Sequence, residues 1–164
     1  MIRQAKAEDL ETILIIAEQA KADMKSNNLH QWTGNYPNRQ VFEDDLRQNG
    51  LFVYCKNDQI IGSISILKEN DIAYQAISWK GEDAYVIHRL IVCPRYQRQG
   101  IATEMITYAK SQCHYPNQSI KIDTHPDNTR MQALLVKLGF HYRGYLSSIH
   151  RLAYEWQEFK ENRG

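Results

Sequence analysis

The apolar positions change period several times along the chain, and each change marks an element. Leu10, Ile13, Leu14, Ala17 and Met24 recur at helical spacing, which predicts an amphipathic helix over about 8–26. A short first strand fits residues 2–4, and Asn27-Asn28 ends the helix. Residues 29–37 are aperiodic and unusually aromatic for a loop, with His30, Trp32 and Tyr36. A second helix is expected over about 38–48, with Asn38 as N-cap, Gly50 just past its end, and Val41, Phe42 and Leu46 facing the core. The period then drops to two. Residues 51–55, the turn Asn57-Asp58 and residues 60–67 read as an antiparallel hairpin. Another strand is expected around 73–78, and residues 84–92 form the strongest strand pattern in the chain, stopped by Pro94.

A basic, glycine-containing turn follows, and then a helix over about 101–113 whose stripe is Ile101, Met105, Ile106, Ala109 and Cys113. Residues 119–124 are again strand-like. Strand, helix and strand at this spacing form a βαβ unit, so the two strands should be parallel with a right-handed crossover. A helix over about 128–138 carries Met131, Leu134, Leu135 and Leu138 on one face, with Gly139 as its C′ glycine. Two closing strands are expected at 141–148 and 150–156. The fold class is α/β, a mixed central sheet of about six or seven strands in which antiparallel hairpins flank one parallel pair.

The chain's 164 residues, 43% of them apolar, suit one compact domain over 1–164. Twenty basic and nineteen acidic residues leave a net charge of +1, which gives no electrostatic argument for nucleic acid or an anionic membrane. No apolar run approaches the roughly 20 residues needed to span a bilayer. The first residues lack the apolar core of a signal peptide. Cys55, Cys93 and Cys113 are odd in number and lack metal-type spacing, so they read as free thiols in a cytoplasmic protein without a metal.

The turn after the strong strand contains what a pyrophosphate needs. A helix start offers unpaired N–H donors and partial positive charge. Gly100 lets backbone approach a ligand, Ala102 is nearly as small, and Arg95 and Arg98 add charge. Taken alone, these residues read equally as an ordinary strand-to-helix turn with solvated arginines.

Two blocks together resemble the GNAT superfamily of acyl-CoA-dependent N-acyltransferases. The first is Leu90-Ile91-Val92-Cys93-Pro94-Arg95-Tyr96-Gln97-Arg98-Gln99-Gly100-Ile101-Ala102, matching the family's [Gln/Arg]-x-x-Gly-x-[Gly/Ala] turn after an apolar strand end. The second runs from Asn128 to Gly139-Phe140. The resemblance implies the GNAT fold, with the parallel pair splayed at the cofactor site and helices on both faces. It implies acetyl-CoA as cosubstrate, with amides of Leu90, Ile91 and Val92 offered to the thioester and pantetheine arm. The turn Gln97, Arg98, Gln99, Gly100, Ile101, Ala102 and Thr103 would take the pyrophosphate, and Asn128 the cofactor arm. The implied reaction is acetyl transfer to a primary amine by direct attack, on a small amine or a peptide N-terminus, with the enzyme aligning the reactants.

One position departs from the family pattern. Many members carry a tyrosine acid seven residues after the Asn, and here that position is Leu135. This opens a second reading, a catalytically silent acyl-CoA-binding or interaction domain; if water serves the leaving thiolate, Leu135→Tyr should change little. Asp123 is the first candidate for general base, with His125 and His88 behind it. Each has a structural alternative: Asp123 as a cap of the following loop or helix, His125 as a loop residue, His88 as a hydrogen-bonded core histidine. Strict alternation would put His88 on Leu90's face, with Arg89 opposite as a structural or rim residue. Within the family the loop between the first two helices shapes the acceptor pocket, which makes Trp32 and Tyr36 candidate walls for the amine; the alternative is a plug under the loop. The acceptor's identity is not legible, and a homodimer is compatible with the sequence without being indicated by it.

Overall fold

A computed structural model describes residues 1–68, 71–81, 83–114 and 118–158. The chain divides into two compact units, residues 1–67 with 88–106, and residues 68–87 with 107 onward.

The first unit begins with β1 (Ile2–Gln4) and enters α1 (Leu10–Ser26) through a 3-10 turn, Ala7–Asp9. Asp9 fixes this entry. Its carboxylate accepts from both terminal nitrogens of Arg3 at 2.8 and 3.0 Å and from the Lys6 amide at 2.7 Å. The Arg3 hydrogen bonds hold the Asp9 carboxyl below its ordinary range. α2 (Arg39–Arg47) starts where Asn38 accepts from the Val41 amide at 3.1 Å, as expected of an N-cap. Its deepest residues are Phe42 and Asp45, while Val41 and Leu46 are half-buried. The left-handed position after α2 is taken by Asn49, at φ 56°. Gly50 is needed for a different reason: a Cβ there would lie 2.6 Å from the Ile66 carbonyl oxygen.

β2 (Leu51–Lys56) and β3 (Gln59–Lys68) form the expected hairpin. Asn57 and Asp58 are both left-handed, at φ 50° and 61°, the conformation a two-residue type I′ turn requires. The alternation in β3 is apolar against small polar, not inside against outside, because residues 61–66 are all buried. Buried serines need partners. Ser63 donates to the Phe52 carbonyl at 3.1 Å and Ser65 to Asp45 at 2.6 Å.

β4 (Asp83–Val92) passes from the second unit into the first, and α3 (Ile101–Ser111) passes back. In the second unit the first half of β4 pairs parallel with β5 (Gln118–Thr124), from Asp83↔Gln118 to Ile87↔Ile122. This is the parallel pair that the strand–helix–strand pattern predicts. β5 pairs antiparallel with β7 (Arg151–Gln157), and β7 with β6 (His141–Leu146). The hydrogen-bonded order is β1-β2-β3-β4-β5-β7-β6, a seven-stranded mixed sheet. α4 (Thr129–Lys137) is capped by Asn128 and closed by Gly139 at φ 87°. Gly139 N–H bonds the Val136 carbonyl and Phe140 N–H bonds the Leu135 carbonyl, the two bonds of a Schellman motif.

The strand expected at 73–78 does not form. Ile72–Ala76 is a 3-10 turn, because local side chains compete with sheet pairing there. Asp71 accepts from the Ala73 amide at 2.9 Å, and the Trp79 indole donates to the Tyr74 carbonyl at 2.7 Å. Tyr74 is fully buried and packs with Val86, Leu146 and Ala153, with Ile77 and Trp79 against them.

Glu155 lies in the middle of β7 with no exposed surface. It accepts from Arg143 at 2.8 Å and from the Lys80 and Gly81 amides at 2.9 and 3.0 Å. Burial alone would raise its pKa; these bonds outweigh burial and hold it below the ordinary value of 4.5. Glu155→Ala leaves Arg143 and two amides unpaired and should cost about 3 kcal/mol in chemical denaturation. A depressed carboxylate pKa contributes stability above its unfolded value and loses it as pH falls through the folded one. The Glu155 contribution should therefore begin to fall as pH drops below about 4.5 and be lost only at the lower folded-state value, so the gap between wild type and variant should narrow on acidification.

Candidate active site

The expected phosphate turn lies in the first unit. Pro94–Tyr96 forms one 3-10 turn, with Tyr96 N–H on the Cys93 carbonyl at 2.8 Å. Arg98 and Gly100 are then both left-handed, at φ 64° and 82°. The first bond of α3 runs from Glu104 N–H to the Gly100 carbonyl at 3.0 Å. The amides of Ile101, Ala102 and Thr103 precede it, so the helix has no carbonyl for them. A Cβ on Gly100 would meet nothing within 4 Å, so the space over this backbone is open. Arg98, Gln99 and Gly100 are exposed, while Ile101 is buried and anchors the helix start. Gln97 reaches Asp23 on α1 at 3.4 Å, which ties the turn to the first helix. Open backbone, donor amides and flanking arginines suit an anionic group.

The strand leading to this turn is kinked. Arg89 in β4 is left-handed at φ 49°, so period-two alternation does not run across it. The premise that His88 shares Leu90's face therefore fails, although both are half-buried, as is Val92, while Ile91 is in the core. Arg89 is structural, as one reading had it, and its setting is built. Its Nε and one terminal nitrogen donate to the two oxygens of Asp45 at 2.7 and 2.6 Å. The other donates to the Tyr36 hydroxyl at 2.9 Å. The side chains of Arg89 and Asp45 are only 9% and 3% exposed, so the pair is desolvated. Burial would lower the Arg89 pKa, but Asp45 and Tyr36 outweigh it and keep the guanidinium charged. Tyr36 is 39% exposed and Trp32 half-buried, so neither side chain is sealed in the core.

Asp123 lies one residue from the end of β5 in the second unit. Among the described residues it caps no backbone amide: one oxygen accepts from the Tyr74 hydroxyl at 2.6 Å, and Arg151 Nε lies 3.9 Å from the other. Burial pushes the Asp123 carboxyl above its ordinary value, against the opposing pull of Tyr74 and Arg151. His125 is buried, and its Nδ1 accepts from the Asp127 amide at 3.0 Å. In the neutral ring that leaves the proton on Nε2. His150 stands edge-on to His125 at 5.2 Å between centroids. The Asn128 side chain accepts from the Met131 amide at 3.2 Å and so caps α4.

Arg151, Asp45 and Ser65 are polar neighbours of candidate residues that sequence reasoning misses. Asp45 alone had a readable signal, since it shares Phe42's side of α2 at a three-residue spacing. Leu135, in the position of the family's acid, is fully buried and supplies the carbonyl of the Schellman motif. Beside the expectation that Leu135→Tyr changes turnover little if water serves the thiolate, the buried position adds a cost in stability. A tyrosine there overpacks the core under α4, and the midpoint of thermal unfolding should fall, by an amount corresponding to about 1–3 kcal/mol.

Residues 21–140 match the model of the acetyltransferase (GNAT) family. A curated relative, the uncharacterized N-acetyltransferase YesJ of Bacillus subtilis, is 20% identical over 151 residues, 88% of this chain and 83% of that protein. A GNAT-family acetyltransferase from Streptococcus agalactiae superimposes with a TM-score of 0.88 at 25% identity, covering 98% of this chain and 96% of that one. A putative acetyltransferase from Staphylococcus aureus is 33% identical, with a TM-score of 0.72 over 96% of this chain and 98% of that one.

Proposed function

The chain belongs to the GNAT family of acetyltransferases, and on that premise we propose that it transfers an acetyl group from acetyl-CoA to the primary amine of a small amine or a peptide N-terminus. In this reading residues 1–164 act as one catalytic domain. The observation that carries it is the turn before α3: a left-handed Gly100 under open space, with three helix-start amides beyond it. The pyrophosphate of the cosubstrate takes these amides, with Gln97, Arg98 and Gln99 around it, and the amides of Leu90, Ile91 and Val92 serve the thioester and pantetheine arm. Asn128 contacts the arm. Trp32 and Tyr36 wall the acceptor.

The acceptor amine attacks the acetyl carbonyl directly. A C–N bond forms, the C–S bond breaks, and the sulfur departs with the electron pair. With a leucine at 135, another group or water protonates the thiolate, or it leaves unassisted, which a thiol titrating near pH 8–9 allows. The amine must lose a proton, and Asp123 is the base, with His125 and His88 behind it. Its burial supports this role, because a base with a raised pKa accepts a proton more readily.

The pH dependence has a definite sign. Asp123 must be ionised to act, so turnover should fall as pH drops through its raised pKa, above the ordinary 3.8. Asp123→Asn should lower turnover about 100-fold and abolish that acidic limb, measured by thiol release with acetyl-CoA. A raised carboxyl pKa contributes stability below the unfolded value and loses it as pH rises through the folded one. The same variant should therefore melt no lower than wild type at pH 7.

Gly100→Glu places bulk and negative charge in the turn, and acetyl-CoA affinity by calorimetry should drop at least tenfold; an unchanged affinity removes the turn from the site. Leu135 favours one other reading, a silent acyl-CoA-binding or interaction domain. Calorimetric acetyl-CoA binding with no CoA release across a broad amine panel would establish that reading instead.

A further inference from the structure

The four residues Asp45, Ser65, Arg89 and Tyr36 come from α2, β3, β4 and the aromatic loop, and one buried guanidinium joins them. Arg89 spends all three of its nitrogens. Two grip Asp45 side-on, and the third holds the phenol oxygen of Tyr36. Asp45 is itself fixed by the Ser65 hydroxyl at 2.6 Å. Side-on pairing has one good geometry, so the guanidinium plane cannot swing without breaking two bonds at once. The Arg89 backbone is also in a conformation that L residues rarely adopt. The same residue therefore sets the kink one position before Leu90 and fixes an exposed aromatic side chain from a loop more than fifty residues earlier.

Building on the acetyltransferase reading, we propose that Arg89, held by Asp45 and Ser65, is the positioning residue that presents the Tyr36 hydroxyl to the acyl acceptor. Tyr36 accepts from Arg89, so its own O–H points away from the guanidinium and is available to donate. A phenol polarised by a cation is a strengthened donor. It suits a carbonyl or carboxylate oxygen close to the acceptor amine. Amino-acid amides and peptide N-termini have that oxygen; simple diamines do not.

The test uses two probe amines in the full chain: a short peptide with a free N-terminus, and putrescine. Tyr36→Phe keeps the ring and removes only the hydroxyl on a partly exposed side chain. It should raise the peptide KM about tenfold and the putrescine KM by a clearly smaller factor, while leaving the acetyl-CoA KM unchanged. Ser65→Ala loosens Asp45 at a distance from the loop and should move the peptide KM in the same direction by a few-fold. In the Tyr36→Phe background Ser65→Ala should add nothing further, because the link it acts through is gone. A purely structural role would lower thermal stability in Ser65→Ala without touching the peptide KM. Equal effects on both amines, an unchanged peptide KM in Tyr36→Phe, or additive effects in the double variant would overturn the proposal. If neither probe nor any amine of the broader panel releases CoA, the acetyltransferase reading fails first. Release of CoA without the Tyr36 discrimination sinks the positioning role alone.

Discussion

A left-handed arginine in the middle of a sheet is costly, and the first unit is organised around sustaining one. Arg89 sits at φ 49° in the strand that leads to the phosphate-like turn. An L residue loses about 1–2 kcal/mol in such a conformation. Its side chain is also taken out of water, where an unpaired charge would cost far more. Asp45 resolves both problems. The side-on pair supplies the counter-charge and holds the guanidinium in one orientation, which favours the backbone conformation that carries it. A buried ion pair is a poor source of net stability, since desolvation consumes most of the attraction. Losing one partner, by contrast, strands the other at a cost of about 3–5 kcal/mol. What the pair contributes is therefore selection of one conformation among several.

The second unit solves a similar problem with Glu155. There a buried carboxylate is satisfied by an arginine and by two backbone amides of the segment before β4. Its pKa falls while that of Asp123 rises, although both are acidic residues on neighbouring antiparallel strands. The difference lies in the donors. Glu155 receives three hydrogen bonds, two of them from amides that cannot move away. Asp123 receives one, from a neutral phenol, and its arginine stands off at 3.9 Å. A carboxylate left short of donors holds its proton more tightly, which is the property a general base needs. The contrast separates a carboxylate used for structure from one suited to chemistry.

Much of the fold was legible in the sequence because the chain obeys local rules. The hairpin was marked by Asn57-Asp58, two residues tolerant of positive φ. The ends of α4 were marked by Asn128 and Gly139, which make the cap and Schellman bonds expected of them. The parallel pair followed from the spacing around α3. What was not legible depended on partners distant in sequence. Nothing within five residues of Tyr74 shows that its hydroxyl meets Asp123 forty-nine positions later. Its apolar neighbours therefore read as strand, and the aspartate and indole that divert the backbone were missed. Arg89 misled in the same way. Alternation is a sound rule for an extended strand, but one left-handed residue cancels it, and the cause lies in α2.

Leu135 shows how far a family pattern can be carried onto one chain. At that position a tyrosine would be an acid; here a leucine is fully buried beneath a helix closed by its own carbonyl. The departure is more than the loss of one hydroxyl, because the site has become part of the packing. Restoring a tyrosine would not restore an acid without first displacing that core. The chemistry is left to groups whose surroundings are polar, and a thiolate leaving group makes that feasible, since it needs no proton at the moment of bond cleavage. In the proposed reaction the demand falls on alignment and on removal of the amine proton. In that proposal the gripped arginine beside Leu90 serves the first and the donor-poor carboxylate of Asp123 the second.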